Sequence, residues 1–160
     1  STITRHGGFR HLGIIESAYL LDDMYVEAIA DGCHLPPELL RLIVKIKGTN
    51  RVALITDAIR AGGMTAKEFS GGNSGGMNFI IEDGVAKLPD RTAFAGSIAT
   101  SEQLLKQTVA AGISLADTVK MMTETPAEIM KLKTKGKIEK GYDAQFTIFD
   151  SDLNVIDYNI

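Results

Sequence analysis

Three short stretches of this chain place chemistry-bearing side chains directly after apolar runs. In Arg51-Val52-Ala53-Leu54-Ile55-Thr56-Asp57-Ala58, four consecutive apolar residues end on a hydroxyl and a carboxylate, and Gly62-Gly63 follow. Ile29-Ala30 gives way to Asp31-Gly32-Cys33-His34, and Ala93-Phe94-Ala95 to Gly96-Ser97. A carboxylate so placed can take up and return a proton at neutral pH. A histidine can donate or accept a hydrogen bond there, and small residues let the backbone approach a ligand. Thr56 and Asp57 could equally cap whatever follows, because Asp and Thr favour strand-to-helix connections.

Catalytic groups in α/β folds sit where strands end and loops begin, so these stretches need elements that line them up. Ile14 to Leu21 has a helix-compatible apolar pattern, and Met24 to Ala30 reads as a strand leading into Asp31. Pro36-Pro37 opens and Gly48 closes a helix over Glu38 to Lys47, proline suiting the first turn and glycine the end. The Asp57 strand comes next, so strand, helix and strand form a βαβ unit with a right-handed crossover and parallel pairing. An uninterrupted apolar strand of this kind is covered on both faces.

Residues 62 to 76 are rich in glycine and serine, and Met77 to Leu88 reads as an antiparallel hairpin turning at Glu82-Asp83-Gly84. A helix over Ser101 to Ala111 follows, with Ser101 as N-cap. Leu115 to Glu124 reads as another helix, and Pro126 opens a third near Ala127 to Leu132. Gly136 to Asp150 has glycine punctuation and alternating β-formers, which predicts a turn and strand in a small β subdomain, with Val155 to Ile160 adding a further strand. The basic run Lys131 to Lys135 marks the boundary, giving units of 1–132 and 133–160.

The 160 residues are enough for a domain with a real core, and 44% hydrophobic content is ordinary for a globular protein. Seventeen basic and 20 acidic residues, net charge −3, are well mixed, which argues against a nucleic-acid or lipid-binding face. The one cysteine, Cys33, excludes an internal disulfide and suits a reducing compartment, so cytoplasm is the expected location. No apolar stretch approaches the ~20 residues that span a bilayer. The chain opens at Ser1 on a polar, glycine-containing stretch rather than on a strand or helix, which points to a piece of a longer polypeptide.

Taken in order, Ile29-Ala30-Asp31-Gly32-Cys33-His34, Leu54-Ile55-Thr56-Asp57-Ala58, Phe94-Ala95-Gly96-Ser97 and Gly136 through Asp150 resemble the N-acetylglucosamine-6-phosphate deacetylases of the amidohydrolase superfamily. The resemblance runs from about Arg10 onward, and four ordered motifs are far more specific than one. It implies an α/β fold: the C-terminal part of a (β/α)8 TIM-type barrel with the 77–88 hairpin as an insertion, plus strands of a small β-sandwich. It also implies a divalent metal, zinc or iron, held by a glutamate and two histidines on earlier strands. His6, His11 and His34 lack the spacing of an independent metal site, so no ligand is expected within the chain.

By the same resemblance, Asp57 is the catalytic aspartate, taking a proton from the attacking water and returning it to the leaving amine. His34 contacts substrate, and Asp31, Gly32 and Cys33 line the sugar site with it, Cys33 as a small packing residue. Phe94, Ala95 and Gly96 form a substrate-contacting loop whose alternative is a tight strand-to-helix connection. Arg10, in Arg10-His11-Leu12-Gly13, corresponds to a phosphate-binding arginine, although His11-Leu12 replaces the family's Glu-Pro. Gly141 and Asp143 belong to a structural turn. The expected partner is a phosphorylated amino sugar, and the assembly a homo-oligomer. Two further readings stand beside this one: an amidohydrolase acting on another amide, or a truncated piece that folds or oligomerises through unpaired strand edges without a complete site.

Overall fold

The computed structural model describes residues 2–64, 71–74 and 76–160 as a mixed α/β fold. The opening is not the irregular stretch its composition suggests. β1 (Thr4–His6) and β2 (Phe9–His11) form an exposed hairpin turning through Gly7 and Gly8 at φ 55° and 84°. Those positive angles explain why two glycines sit there.

After α1 (Ile14–Leu20), β3 (Val26–Ile29), α2 (Pro37–Lys47) and β4 (Val52–Ile55) build the expected βαβ unit. β3 and β4 pair in parallel, with Val26 opposite Val52 and Ile29 opposite Ile55. Pro37 occupies the first turn of α2, and Gly48 closes it at φ 70° while its N–H bonds the Val44 carbonyl at 2.8 Å. Leu40 and Ile43 bury one stripe of α2 against the pair.

The apolar run of β4 is explained by burial on both faces. Val52 and Leu54 join a core with Ala28, Leu104, Ala111, Ile113 and Met121, and Ala53, pointing the other way, is also buried. Burying one such aliphatic side chain contributes about 1.5–3 kcal/mol, so this layer holds the ends of β3 and β4 in place.

β5 (Gly71–Ser74), β6 (Met77–Glu82) and β7 (Val85–Lys87) form a three-stranded antiparallel sheet, turning at Asp83 and Gly84, both at positive φ. The 77–88 hairpin is therefore as expected, but β5 falls in the segment read as loop. Residues 65–70 and 75 of that segment lie outside the described residues.

The N-cap of α3 (Ser101–Ala110) lies one residue earlier than expected: it is Thr100, not Ser101, its hydroxyl accepting the Gln103 N–H at 3.3 Å. α4 (Leu115–Met122) is capped by Ser114, and α5 (Glu124–Ile129) starts two residues before Pro126. Proline is tolerated there because first-turn N–H groups have no helical acceptor. β8 (Phe146–Phe149) and β9 (Val155–Asn159) form a terminal antiparallel pair. Glu102 of α3 accepts the Val155 N–H at 3.3 Å, and Lys106 reaches Asn154 at 2.6 Å, tying this pair to the helices. An apolar groove lies between the helices and this pair, lined by Met122, Ala127, Phe146 and Tyr158 among others, but not by Asp57, His34 or Phe94. No helix among the described residues is long and apolar enough to cross a membrane.

Candidate active site

The site grows from three neighbouring backbone ends. β3 and β4 lie side by side, and beyond β4 the chain pairs once more, Ala58 with Ser97, as a single parallel bridge. The Ser97 N–H donates to the Asp57 carbonyl and the Ile59 N–H to the Ser97 carbonyl, each at 2.9 Å. Order along the arc is therefore the Asp31 end, the Asp57 end and the Gly96 end. The hairpin sheet holds the third end from its other side: the Ala95 N–H bonds the Ala86 carbonyl and the Leu88 N–H the Ala93 carbonyl.

Asp57 leaves β4 at φ 49°, the left-handed region that non-glycine residues seldom occupy, and its side chain is exposed. Ala58, next in sequence, donates its N–H to the Thr56 hydroxyl at 3.3 Å. Thr56 therefore does form a local turn, as the capping alternative requires, while Asp57 is left presented to solvent. A strained backbone at an exposed carboxylate is a pattern that clusters at functional sites.

Gly96 is required by both angle and space. Its φ is 96°, and a Cβ there would sit 2.7 Å from Ile59 Cγ2, 3.2 Å from the Asp57 carbonyl and 3.9 Å from Asp57 Oδ2. Two residues earlier, the Phe94 ring stands edge-on to His34 with centroids 4.9 Å apart. The segment Phe94-Ala95-Gly96 thus touches the histidine with one end and abuts the aspartate with the other. Phe94 is exposed and Ser97 buried, so the segment offers its aromatic face while anchoring its backbone.

The Asp31–His34 turn is built around its own carboxylate. Asp31 is 2% exposed; Oδ1 accepts the N–H groups of Cys33 and His34 at 2.9 Å each, and Oδ2 lies 2.8 Å from His34 Nδ1. Burial alone would raise the Asp31 pKa, but the two backbone N–H groups and His34 outweigh it and hold the carboxyl below its ordinary range. Burial, reinforced by the negative charges of Asp31 and Asp83, pushes the half-buried Cys33 thiol up. The bond that Cys33 makes to Asp31 runs through its backbone N–H and not through the thiol.

The structure brings together Asp57, His34, Phe94, Ala95 and Gly96 from the sequence-expected set, with Asp31, Gly32 and Cys33 forming the turn that carries His34. Arg10 stands apart on the exposed β1–β2 hairpin, directly opposite Arg5. Sequence reasoning missed Gln103 and Gln107 on α3. Gln103 Nε2 donates to the Asp31 carbonyl at 3.3 Å, and the Gln107 side chain lies 2.9 Å from where a Gly32 Cβ would be. Their i, i+4 spacing on a helix entered from the Gly96 end was the available signal. Among the described residues no three His, Cys, Asp or Glu side chains are gathered so that they could hold a metal ion. The described residues therefore do not form, by themselves, the donor set that zinc or iron needs.

A model of the amidohydrolase family matches residues 3–159. The chain is 33% identical over 145 residues to the N-acetylglucosamine-6-phosphate deacetylase of Lysinibacillus sphaericus, covering 90% of this chain and 36% of that protein. It is 26% identical over 148 residues to the N-acetylgalactosamine-6-phosphate deacetylase of Shewanella sp. (strain ANA-3), covering 92% and 36%. The crystal structure of N-acetylglucosamine-6-phosphate deacetylase from Thermotoga maritima aligns with a TM-score of 0.83 at 32% identity, covering 92% of this chain and 40% of that one. The chain spans about a third of the length of the curated relatives it matches. On this match and on the arrangement of its three strand ends, the chain belongs to the amidohydrolase family.

Proposed function

We propose that this chain supplies the C-terminal part of a (β/α)8 barrel, residues 1–132, and part of a β-sandwich, residues 133–160, in a hydrolase that deacetylates N-acetylglucosamine 6-phosphate. The observation that carries this reading is the Phe94–Gly96 segment, which touches His34 at one end and Asp57 at the other. Water adds to the acetamide carbonyl, the C–N bond breaks, and acetate and the amino-sugar phosphate leave. Asp57, exposed at its strand end, takes the proton from the attacking water and passes it to the departing amine. Phe94 and His34 hold the sugar, and the backbone around Ala95 and Gly96 approaches it closely. Arg10 binds the phosphate, for which a guanidinium is well shaped. Its place on an exposed hairpin suits a residue that reaches into a neighbouring subunit of a homo-oligomer.

The divalent metal implied by the family resemblance, zinc or iron, would polarise the amide and activate water, and we place its ligands on segments outside this chain. The single cysteine supports a cytoplasmic location. A second reading, deacetylation of the galacto epimer, is favoured by the Shewanella relative's name. The test is acetate release by the complete polypeptide from the two 6-phosphates and from unphosphorylated N-acetylglucosamine, with and without a chelator. The first reading expects chelator-sensitive release, fastest from N-acetylglucosamine 6-phosphate. Equal rates on the unphosphorylated sugar, or release that survives the chelator, would refute it.

A further inference from the structure

Asp31 is fully occupied inside its own turn. It is 2% exposed, Oδ1 accepts two backbone N–H groups at 2.9 Å, and Oδ2 faces His34 Nδ1 at 2.8 Å. A carboxylate engaged in this way has no free edge for a substrate. An ionised carboxylate only accepts, so the proton between the two groups must sit on Nδ1. Neutral imidazole carries one N–H, which leaves Nε2 with a lone pair. Nε2 has no hydrogen-bond partner among the described residues. The turn around this pair is braced on several sides. Gly32, at φ 84°, leaves no room for a Cβ beside Gln107, Gln103 holds the Asp31 carbonyl, and the Phe94 ring stands against the imidazole.

We propose that Asp31 is a positioning residue that holds His34 as the Nδ1–H tautomer, so that Nε2 offers a hydrogen-bond acceptor to a hydroxyl of the bound sugar. The sugar in this statement rests on the function proposed above, whereas the tautomer does not. This assigns Asp31 a role through His34 rather than the direct sugar contact expected from the sequence. It also explains why the turn spends a buried carboxylate on one imidazole and two amides.

The 160-residue chain has only three histidines, and His6 and His11 are exposed on the hairpin, so they serve as references in the same sample. Long-range 1H–15N correlation on 15N-histidine-labelled chain at about pH 8.5, where imidazole is neutral, reads the tautomer directly, with His34→Gln giving the assignment. The expected spectrum has a protonated-nitrogen shift at His34 Nδ1 and an unprotonated one at Nε2. In Asp31→Asn the amide oxygen can keep both backbone N–H bonds while its NH2 donates to Nδ1, so the pattern should reverse to Nε2–H. A wild-type His34 already in the Nε2–H form overturns the proposal, as does a folded Asp31→Asn whose His34 keeps its proton on Nδ1. If Asp31→Asn does not fold, the wild-type spectrum decides. In the complete enzyme, Asp31→Asn should raise KM about tenfold with kcat within a few-fold; loss of kcat at unchanged KM would overturn the acceptor role. Absence of any acetate release by wild-type enzyme would refute the deacetylase reading and leave the tautomer result standing.

Discussion

Replacing Gly96 with alanine should destabilise the chain by more than the backbone angle alone explains, because the added methyl points at the Asp57 turn. The φ of 96° costs an L-residue about 1–2 kcal/mol. The new Cβ would lie 2.7 Å from Ile59 Cγ2, a methyl that can rotate, and 3.2 Å from the Asp57 carbonyl, which is held by the Ser97 N–H at 2.9 Å. Crowding of this kind adds about 1–3 kcal/mol, for a total of about 2–5 kcal/mol. Gly141 is the matched control: its φ is 95°, and a Cβ there would meet nothing within 4 Å. Gly141→Ala should therefore cost only the backbone share. With a urea slope of about 2 kcal/mol/M, the unfolding midpoint should fall by about 1–2.5 M for Gly96→Ala and by about 0.5–1 M for Gly141→Ala. Equal shifts for the two variants would refute the claim that Gly96 is fixed by its contact with the Asp57 backbone.

Lys47 is 8% exposed and donates through Nζ to the carbonyls of Ala18 and Leu21 at 2.9 and 2.6 Å, closing the end of α1. Lys47→Met should cost about 1–3 kcal/mol by urea unfolding, and an unchanged midpoint would count against that capping role. Stability should also depend on pH through Asp31. Its folded pKa is lowered, with burial opposing and the hydrogen bonds from His34 and Cys33 prevailing, so in acid the unfolded chain binds the proton first. That stabilisation is complete above the ordinary aspartate pKa of about 3.9 and fades as pH falls through the lower folded value. Wild-type chain should therefore lose stability below about pH 4 more steeply than Asp31→Asn, and parallel profiles would contradict it.

The βαβ unit is legible in the sequence because its signals agree: a pair of prolines, a closing Gly48 and an apolar run that only two-sided burial explains. The two strand regions that escape such a reading lack any signal of this kind. β1 and β2 are fully exposed, so no alternation of apolar and polar residues marks them, and β5 is Gly71-Gly72-Asn73-Ser74, held by its partner β6 and not by its own propensity. The shift of the α3 cap from Ser101 to Thr100 separates two adjacent residues of similar capping ability, a choice made by the geometry of the Gln103 N–H. At the site, Asp57 and His34 can be picked out as candidates from strand ends and family motifs. Their connection through Phe94 and Gly96 cannot, because it spans some sixty and forty residues of sequence and depends on which strand ends become neighbours. The role of Asp31 is hidden for a related reason: an aspartate after a strand looks the same in sequence whether it faces a ligand or turns back onto its own loop.

Whether Asp57 carries the proton in amide hydrolysis is decided by Asp57→Asn in the complete polypeptide, with acetate release from N-acetylglucosamine 6-phosphate as the readout. Asparagine keeps the size and the exposed position at the end of β4 but cannot accept a proton. The variant should show a fall in kcat of about 10²–10⁴ with KM little changed, since the sugar contacts proposed above are assigned to His34, Phe94 and Arg10. Acetate release by Asp57→Asn at the wild-type rate would contradict the proton-carrying role.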